Sequence, residues 1–564
     1  MMQGPLSRSV AGLCDALMPQ VSQRTAGGLR EVLRRLDTPL QLAVAGRIKS
    51  GKSTLVNALI GRRVAPTDVG ECTRLVTRFQ YGTVDRIEVV MKDGRRSTIP
   101  FAADGGIPAD LGGLGPGGNG QRGTGQRGIG QGGAGLAAVS HLEAYLTSAL
   151  LTDITVIDTP GLGSMDAASV SRTEALLGAA AQAADRAGAD GAAGADGAAG
   201  ADGQGADGEL DQVSEFAVAG AEAVVYVFTQ SVRSDDTRVL AAFTAATASR
   251  DAGPVNALAV LNKADTVLAD SVDGSGGDSW RAAEILARSQ AAVLRPRVAD
   301  VLPMNGLLAE TTETGAFTAA DAEALRALAG VDPALFGAMV MAADLFTSLP
   351  APVNSPARVR LLQLLDLYGI NAAVQILRGE PSVSAGELRR RLLARSGLEE
   401  FRRRLGEVFR LRADGIKASA ALASIGALAA SCGDPNERQR VHDGIEMLLQ
   451  RPEAHQLRLL EALTLVSGGG VPMDPELTVE ILRLGGSTRP DEQLGLPGRS
   501  SAELQTAALE RAGWWRSFAS FGATPGQSRV AHVVHRAYFL IWQELKGHQP
   551  AGPPGLAGRR GPRR

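Results

Sequence analysis

The sequence predicts a two-part fold, an α/β domain on a doubly wound sheet followed by an all-α region. Three observations predict it. Between residues 38 and 310, short apolar runs alternate with helical segments, as strands joined by crossovers do. One strand-to-helix junction in that stretch is Gly46-Arg47-Ile48-Lys49-Ser50-Gly51-Lys52-Ser53, a glycine-rich phosphate loop. Beyond about Leu307 the strands stop, and proline-punctuated segments rich in Ala, Leu, Arg and Glu follow, as in a helical bundle.

The chain has 564 residues, 44% hydrophobic and 21% charged, a globular composition long enough for more than one core. Its formal net charge of −2 gives no basic field to steer it to nucleic acid. The 3 cysteines, Cys14, Cys72 and Cys432, are widely spaced, which predicts a reducing compartment without a disulfide framework. Arg8, Asp15 and Gln20 interrupt any signal-peptide core, and no apolar run reaches the ~20 residues of a membrane span. The longest, Ala418 to Ala430, reads as a packed helix. The expectation is a soluble or peripheral protein in the cytoplasm, with no nucleic-acid partner.

The elements follow in order. Residues 6–36 read as one or two helices broken near Ala26-Gly27-Gly28, with Leu29, Val32, Leu33 and Leu36 at helical spacing. Leu40 to Ala45 is a buried strand and Thr54 to Ile60 opens a helix. The turn between them aims backbone N–H groups at one spot, the positive end of a helix dipole, and so holds phosphates. Gly46, Ser50, Gly51, Lys52, Ser53 and Thr54 line that spot. Lys52 brings a point charge to the β- and γ-phosphates, and the Ser53 hydroxyl can ligate Mg²⁺.

Four further elements come in the order a GTPase needs. Thr73 lies where a switch threonine belongs. Asp158-Thr159-Pro160-Gly161 ends the strand Ile154 to Ile157, Asn262-Lys263-Ala264-Asp265 ends the strand Ala257 to Leu261, and Leu302-Pro303-Met304-Asn305-Gly306 ends a third. Ligands of open parallel sheets bind at such carboxyl ends. Asp265 would choose the base, since a carboxylate accepts from both the N1–H and the amine of guanine, and adenine lacks that donor pair. Lys263 would lie along the base.

Two stretches interrupt this region. Residues 105–135 are mostly Gly with Gln, Arg and Asn, and residues 188–208 repeat Gly-Ala-Asp and Gly-Ala-Ala. Neither has apolar groups to offset ordering entropy, so both read as surface loops. In the helical region, Glu387 to Arg412 is arginine-rich with apolar residues at helical spacing, split at Ser396-Gly397. It reads as an ion-paired face inside a bundle or a surface for anionic lipid. The proline-bounded Leu345 to Val353 reads as a buried connection or a lipid-inserting tip. Trp514-Trp515 reads as packing. The tail from Gln549 is Pro/Gly-rich and ends in Arg559, Arg560, Arg563 and Arg564.

"VAGRIKSGKSTLVNALIGRRVAPTDVGECTRLVTRFQYG" resembles the nucleotide site of bacterial dynamin-like GTPases, and "ITVIDTPGL", "VLNKAD" and "LPMNGLLAET" continue the match. "RLLQLLDLYGI", "ARSGLEEFRRRL" and "LGLPGRSSAELQTAALERAGWWR" resemble the actinobacterial isoniazid-inducible branch. The resemblance spans about residues 35–545 apart from the two insertions. It implies a GTPase head over 38–310 and a helical bundle over 311–546 that residues 1–37 join, followed by a basic tail, 547–564. It implies GTP hydrolysis coupled to head-to-head contacts, as a homodimer or with a related dynamin-like protein, and work at the inner face of the cell membrane.

By motif position, Gly46, Lys52 and Ser53 would bind phosphate and Mg²⁺, Thr73 would close on the γ-phosphate, and Asp158 would reach Mg²⁺ through water. Gly161 would read the γ-phosphate, Asn262, Lys263 and Asp265 would hold guanine, and Asn305 would stand in the last nucleotide element. Where eukaryotic dynamins carry Gln-Ser in the phosphate loop, this chain has Ile48 and Lys49, and no glutamine follows Gly161. That predicts a slow intrinsic GTPase, with Lys49 acting as a tethered cation. A regulatory GTPase switch acting on a protein or ribosomal partner is the alternative.

Overall fold

The computed structural model describes residues 4–66, 75–108, 139–160, 221–232, 240, 256–294, 297–410, 412–467, 470–487 and 489–547. They begin with two helices, α1 (Pro5–Leu17) and α2 (Gln23–Asp37). The break falls at Met18–Gln20 and not at the Gly27-Gly28 pair. Pro19 and the Ser22 cap on Thr25 N–H divide the helices there. Gly28 sits inside α2, where a Cβ would meet Leu428 Cδ2 at 2.5 Å, so this glycine serves close helix packing.

Among the described residues, nine strands form one sheet: β1 (Leu40–Gly46), β2 (Thr77–Tyr81), β3 (Arg86–Met91), β4 (Arg96–Ile99), β5 (Val139–Leu146), β6 (Ile154–Asp158), β7 (Ala223–Thr229), β8 (Ala257–Asn262) and β9 (Val301–Met304). Their order is β4-β3-β5-β2-β6-β1-β7-β8-β9. From β6 to β9 every neighbouring pair is parallel. β2 runs antiparallel to β6, and β3 is antiparallel to both β5 and β4. The parallel half carries the motifs, and the other half extends it to a mixed sheet.

Strand alternation sorts the core into two faces. Leu40, Leu42 and Val44 pack with α3 (Lys52–Ile60). Ala43 and Ala45 pack with α4 (Ser279–Leu294) on the opposite face. Every residue of β1 is buried, as expected of a strand covered on both sides.

From β9 the chain enters α5 (Gly306–Glu313), α6 (Ala319–Ala329), α7 (Pro333–Met339), α8 (Ala343–Ser348), α9 (Ser355–Gly379), α10 (Ala385–Ala394) and α11 (Leu398–Leu405). A π turn (Gly406–Arg410) leads to α12 (Ala413–Ser431) and α13 (Pro435–Leu449). Among described residues, no helix is long and apolar enough to cross a membrane.

The compact units are Met1–Leu448 and Leu449–Arg564, so the expected bundle 311–546 is divided. The reason is packing. Leu398, Phe401, Leu405, Val408, Phe409 and Ile416 bury in the same core as β1 and α3. The second unit contains α14 (His455–Ser467), α15 (Pro475–Gly486), α16 (Pro490–Leu494), α17 (Ser501–Phe521) and α18 (Pro525–Gly547). Its core centres on Trp515 and Tyr538, whose indole N–H and hydroxyl both donate to Glu480.

The apolar loop Leu345–Val353 is no exposed tip. Leu345 to Ser348 are helical, Phe346 is fully buried, and Val353 is buried with it. Arg358 Nη1 donates to Phe346 O and Leu349 O, closing the turn. The arginines of 387–412 are largely ion-paired within the first unit: Arg402 with Glu313, Arg404 with Asp300 and Glu407, and Arg391 with Glu380 and Glu387.

Candidate functional site

The candidate site lies at the carboxyl ends of β1, β6, β8 and β9. The chain leaves β1 at Gly46 and re-enters helix at Lys52 through two glycines in left-handed backbone, Gly46 (φ 149°) and Gly51 (φ 92°). Neither place admits a side chain. A Cβ on Gly46 would lie 2.1 Å from Val227 O, and one on Gly51 2.1 Å from Asn262 Nδ2. Gly51 is the N-cap of α3 and supplies no side-chain cap, leaving first-turn N–H groups to an anion.

Lys52 is buried and curls over the loop, its Nζ donating to Gly46 O and Arg47 O, both at 3.0 Å. Burial lowers its pKa, opposed by the charge of Asp158. Ser53 Oγ donates to Asp158 Oδ2 at 2.8 Å. Burial pushes the Asp158 carboxyl up to about 6, against the opposing pulls of Lys52 and Ser53. Asp158 Oδ1 and Ser50 Oγ are buried with no hydrogen-bond partner among the described residues. Buried polar atoms are costly to leave so, and these two oxygens at the phosphate loop could take up a hydrogen-bonding or cationic ligand. The donor set fits a hard divalent cation, since Ser53 Oγ and the Asp158 carboxylate are oxygen ligands with room for water.

Asn262 ties the site together. Its Nδ2 donates to Ser50 O at 2.8 Å and its Oδ1 accepts from Gly306 N at 2.9 Å. The asparagine thus bridges the phosphate loop and the β9–α5 turn. Lys263 follows with φ 56°, exposed, and Asp265 sits in the 3-10 turn Ala264–Thr266. Burial raises the Asp265 pKa and nearby Asp366 adds to it. Asn305 is spent on scaffolding. Its Oδ1 caps Leu308 N–H at 2.9 Å and its N–H donates to Ser396 O at 2.9 Å. Thr54 stands half-buried in the first turn of α3, and Lys49 is exposed with φ 62°. Thr73 and Gly161 lie outside the described residues.

Three residues near the site carry no motif signal. Asp366 interrupts α9 with φ 52° and ψ −179°, close enough to Asp265 to act on its charge. Asn57 and Glu310, on α3 and α5, meet in a buried hydrogen bond of 2.8 Å. Only the fold brings either pairing about. The arrangement can hold a nucleoside polyphosphate by its phosphates on α3 and present a carboxylate to the base.

The family model described as the Dynamin family matches residues 42–111, which include the phosphate loop. The isoniazid-induced protein IniC of Mycobacterium tuberculosis is 28% identical over 488 residues, covering 86% of this chain and 85% of that protein. A bacterial dynamin-like protein of Nostoc punctiforme is 42% identical over 55 residues, 10% of this chain and 8% of that one. A solved oligomerised bacterial dynamin pair aligns at 12% identity and TM-score 0.31, over 96% of this chain and 75% of that one.

Proposed function

We propose that the chain is a dynamin-like GTPase that couples hydrolysis of GTP to binding and remodelling an anionic membrane surface at the inner face of the cell membrane. The orphaned oxygens of Asp158 and Ser50 beside Lys52 and Ser53 are the observation that supports the nucleotide half. In this reading the N–H groups of Gly46 to Thr54 take the phosphates, with Lys52 released from Gly46 O and Arg47 O to meet them. Ser53 and Asp158, with Thr73, would hold Mg²⁺, which supplies charge neutralisation on the phosphate oxygens. Asp265 reads guanine, Lys263 covers it, and Gly161 reads the γ-phosphate. Asn305 serves by shaping the turn that meets Asn262.

For the membrane half the loop Leu345–Val353 is set aside, because its anchors are core. The basic segment 387–412 is weakened as a lipid surface by its internal ion pairs. An exposed aromatic face on α17 supports the reading instead. Phe521, 91% exposed, ends that helix, and Trp514 stacks on Phe518 at 5.4 Å one and two turns before it. Aromatic side chains at a helix end suit the water–lipid interface. The arginines Arg559 to Arg564 would add attraction to anionic lipid. Heads would pair with a second copy or a related dynamin-like protein.

Co-sedimentation with anionic and neutral vesicles, with and without a GTP analogue, tests the whole. Binding to anionic vesicles that Phe521→Asp removes, with vesicle-free GTP turnover unchanged, is expected. Binding to neither vesicle type would leave a GTPase switch that acts on a protein partner.

A further inference from the structure

Guanine carries two donors and an acceptor along one edge: the 2-amine, the N1–H and, beside them, the O6 oxygen. In the proposed function Asp265 takes the donors. O6 then needs a donor of its own, because a polar atom taken out of water without a partner is costly. The motif residues around the base are already engaged. Asn262 spends its amide on Ser50 O and Gly306 N. In the β9–α5 turn, the N–H of Asn305 goes to Ser396 O, that of Gly306 to Asn262 Oδ1 and that of Leu308 to Asn305 Oδ1.

The helical region brings a donor to the same place. α9 breaks at Asp366, whose φ of 52° and ψ of −179° are costly for a residue with a Cβ and persist only where the surroundings impose them. Here they do. Before the break, Thr311 Oγ1 of α5 donates to Leu364 O at 2.5 Å, and within it Asp366 Oδ1 accepts from Leu367 N at 2.7 Å. After it, Gly369 lies against the first turn of α5, where a Cβ would stand 3.2 Å from Leu308 Cδ1. Tyr368 sits between the break and that contact, half-buried and packed against the core that holds Leu308, Leu365 and Ile370. The turn after α10 closes in from the other side: a Cβ on Gly397 would lie 2.5 Å from Pro303 O of β9. The Tyr368 hydroxyl has no hydrogen-bond partner among the described residues. Burial raises its pKa; Arg395 of that turn opposes the rise, and Asp265 and Asp278 add to it. Asp278 is itself occupied in capping Trp280 and Arg281 N–H. The phenol therefore stands protonated, an unused donor within reach of the Asp265 charge.

We infer that Tyr368 is a base-binding residue, its hydroxyl donating to O6 of guanine beside Asp265. The inference rests on the GTPase reading above. Asp265 and Tyr368 then divide one edge of the base between them, the carboxylate taking its donors and the phenol its acceptor. Adenine has an amine where guanine has O6, so it gives the phenol no acceptor there. The strained backbone of Asp366 is accounted for as the turn that sets Tyr368 against the first turn of α5.

Three nucleotides separate this hydroxyl from general packing. GDP has O6 and the 2-amine, inosine diphosphate keeps only O6, and 6-thio-GDP replaces O6 with sulfur, a weak acceptor. Their affinities are measured by competition with fluorescent GDP, on wild type and Tyr368→Phe, with melting temperatures alongside. We expect wild type to prefer GDP to 6-thio-GDP about tenfold, the effect of one hydrogen bond, and Tyr368→Phe to lose that preference. Tyr368→Phe should weaken GDP and inosine diphosphate alike, by about tenfold, and 6-thio-GDP by less than about threefold, with no change in melting temperature. GDP affinity in Tyr368→Phe within about twofold of wild type would overturn the inference. An equal loss of all three nucleotides would overturn it too, because only a general distortion of the site acts on them alike. If Tyr368→Phe does not fold, the wild type decides alone: binding 6-thio-GDP as tightly as GDP overturns the inference. A wild type that binds no guanine nucleotide at all would instead remove the underlying reading.

Discussion

Asp265 is half-buried, its carboxyl raised first by burial and further by the neighbouring charge of Asp366, with Lys263 pulling the other way. In the proposed function, guanine needs this carboxylate ionised. Nucleotide affinity should therefore fall on the acid side at a higher pH than an ordinary aspartate would give, because protonation of the free site competes with the base. Asp265→Asn should weaken GTP by about 3 kcal/mol, roughly hundredfold, and favour xanthosine triphosphate, whose 2-oxo group suits an amide donor. Equal GTP affinity in variant and wild type removes the guanine assignment. Lys49 holds left-handed backbone at φ 62°, which costs a non-glycine residue about 1 kcal/mol. Lys49→Gly should therefore melt no lower than wild type. If Lys49 is the tethered cation, that variant also turns over slowly and wild-type turnover is indifferent to potassium. A strict potassium requirement in wild type ends that role.

At the scale of elements, the informative case is the segment from α8 into α9. Its apolar residues and flanking prolines fit a lipid-inserting tip as well as a core turn. The fold places Phe346 in the core with Leu361, Leu365 and Met339, and spends Arg358 on the turn carbonyls. Phe346→Ala should cost about 3–5 kcal/mol by denaturant titration, without changing salt-resistant vesicle binding. A fully stable variant that no longer binds vesicles would restore the tip. The arginine-rich helices α10 and α11 behave similarly. Their charges find Glu313, Asp300, Glu380 and Glu387 across the fold and along the helix, so positive composition does not become a positive face.

For the whole molecule, two compact units imply that unfolding need not be a single transition. Acid should act on the first through Glu143. That carboxyl is held down at about 2, first by a hydrogen bond from His141, then by the Tyr145 hydroxyl and the Arg96 charge, against the cost of burial. A depressed pKa stabilises the fold above the unfolded value, near 4.5, and that stability is lost as pH falls toward 2. Glu143→Gln should remove up to about 3 kcal/mol at pH 7 and flatten the acid limb of the melting temperature between those values. An unchanged acid limb would show that Glu143 is not paired in solution. Deleting most of residues 112–133 or 188–205 should leave vesicle-free GTPase activity nearly intact, since neither stretch carries a nucleotide motif and loop length costs only about 0.6 kcal/mol per doubling. A collapse in melting temperature would count against it.

The sequence by itself determined what is local. A glycine-rich turn, a lysine and a serine at fixed spacing, and polar residues at the ends of apolar runs are contiguous signals. The α/β class and the β1, β6, β8 and β9 termini were legible from them. Its periodicity also gave the helices, though not the break at Pro19, because Gly28 looks like an interruption until Leu428 is packed against it. What lies between distant residues was decided only by tertiary structure. Asn57 meeting Glu310, Asn262 meeting Ser50, and β2 pairing antiparallel with β6 each join residues far apart in the chain. No periodicity encodes them. Burial was decided there too, since Phe346 and Phe521 are both helical phenylalanines shortly before a proline, and one is core while the other faces solvent. An apolar side chain records a preference to leave water. Which surface receives it is a property of the packed whole.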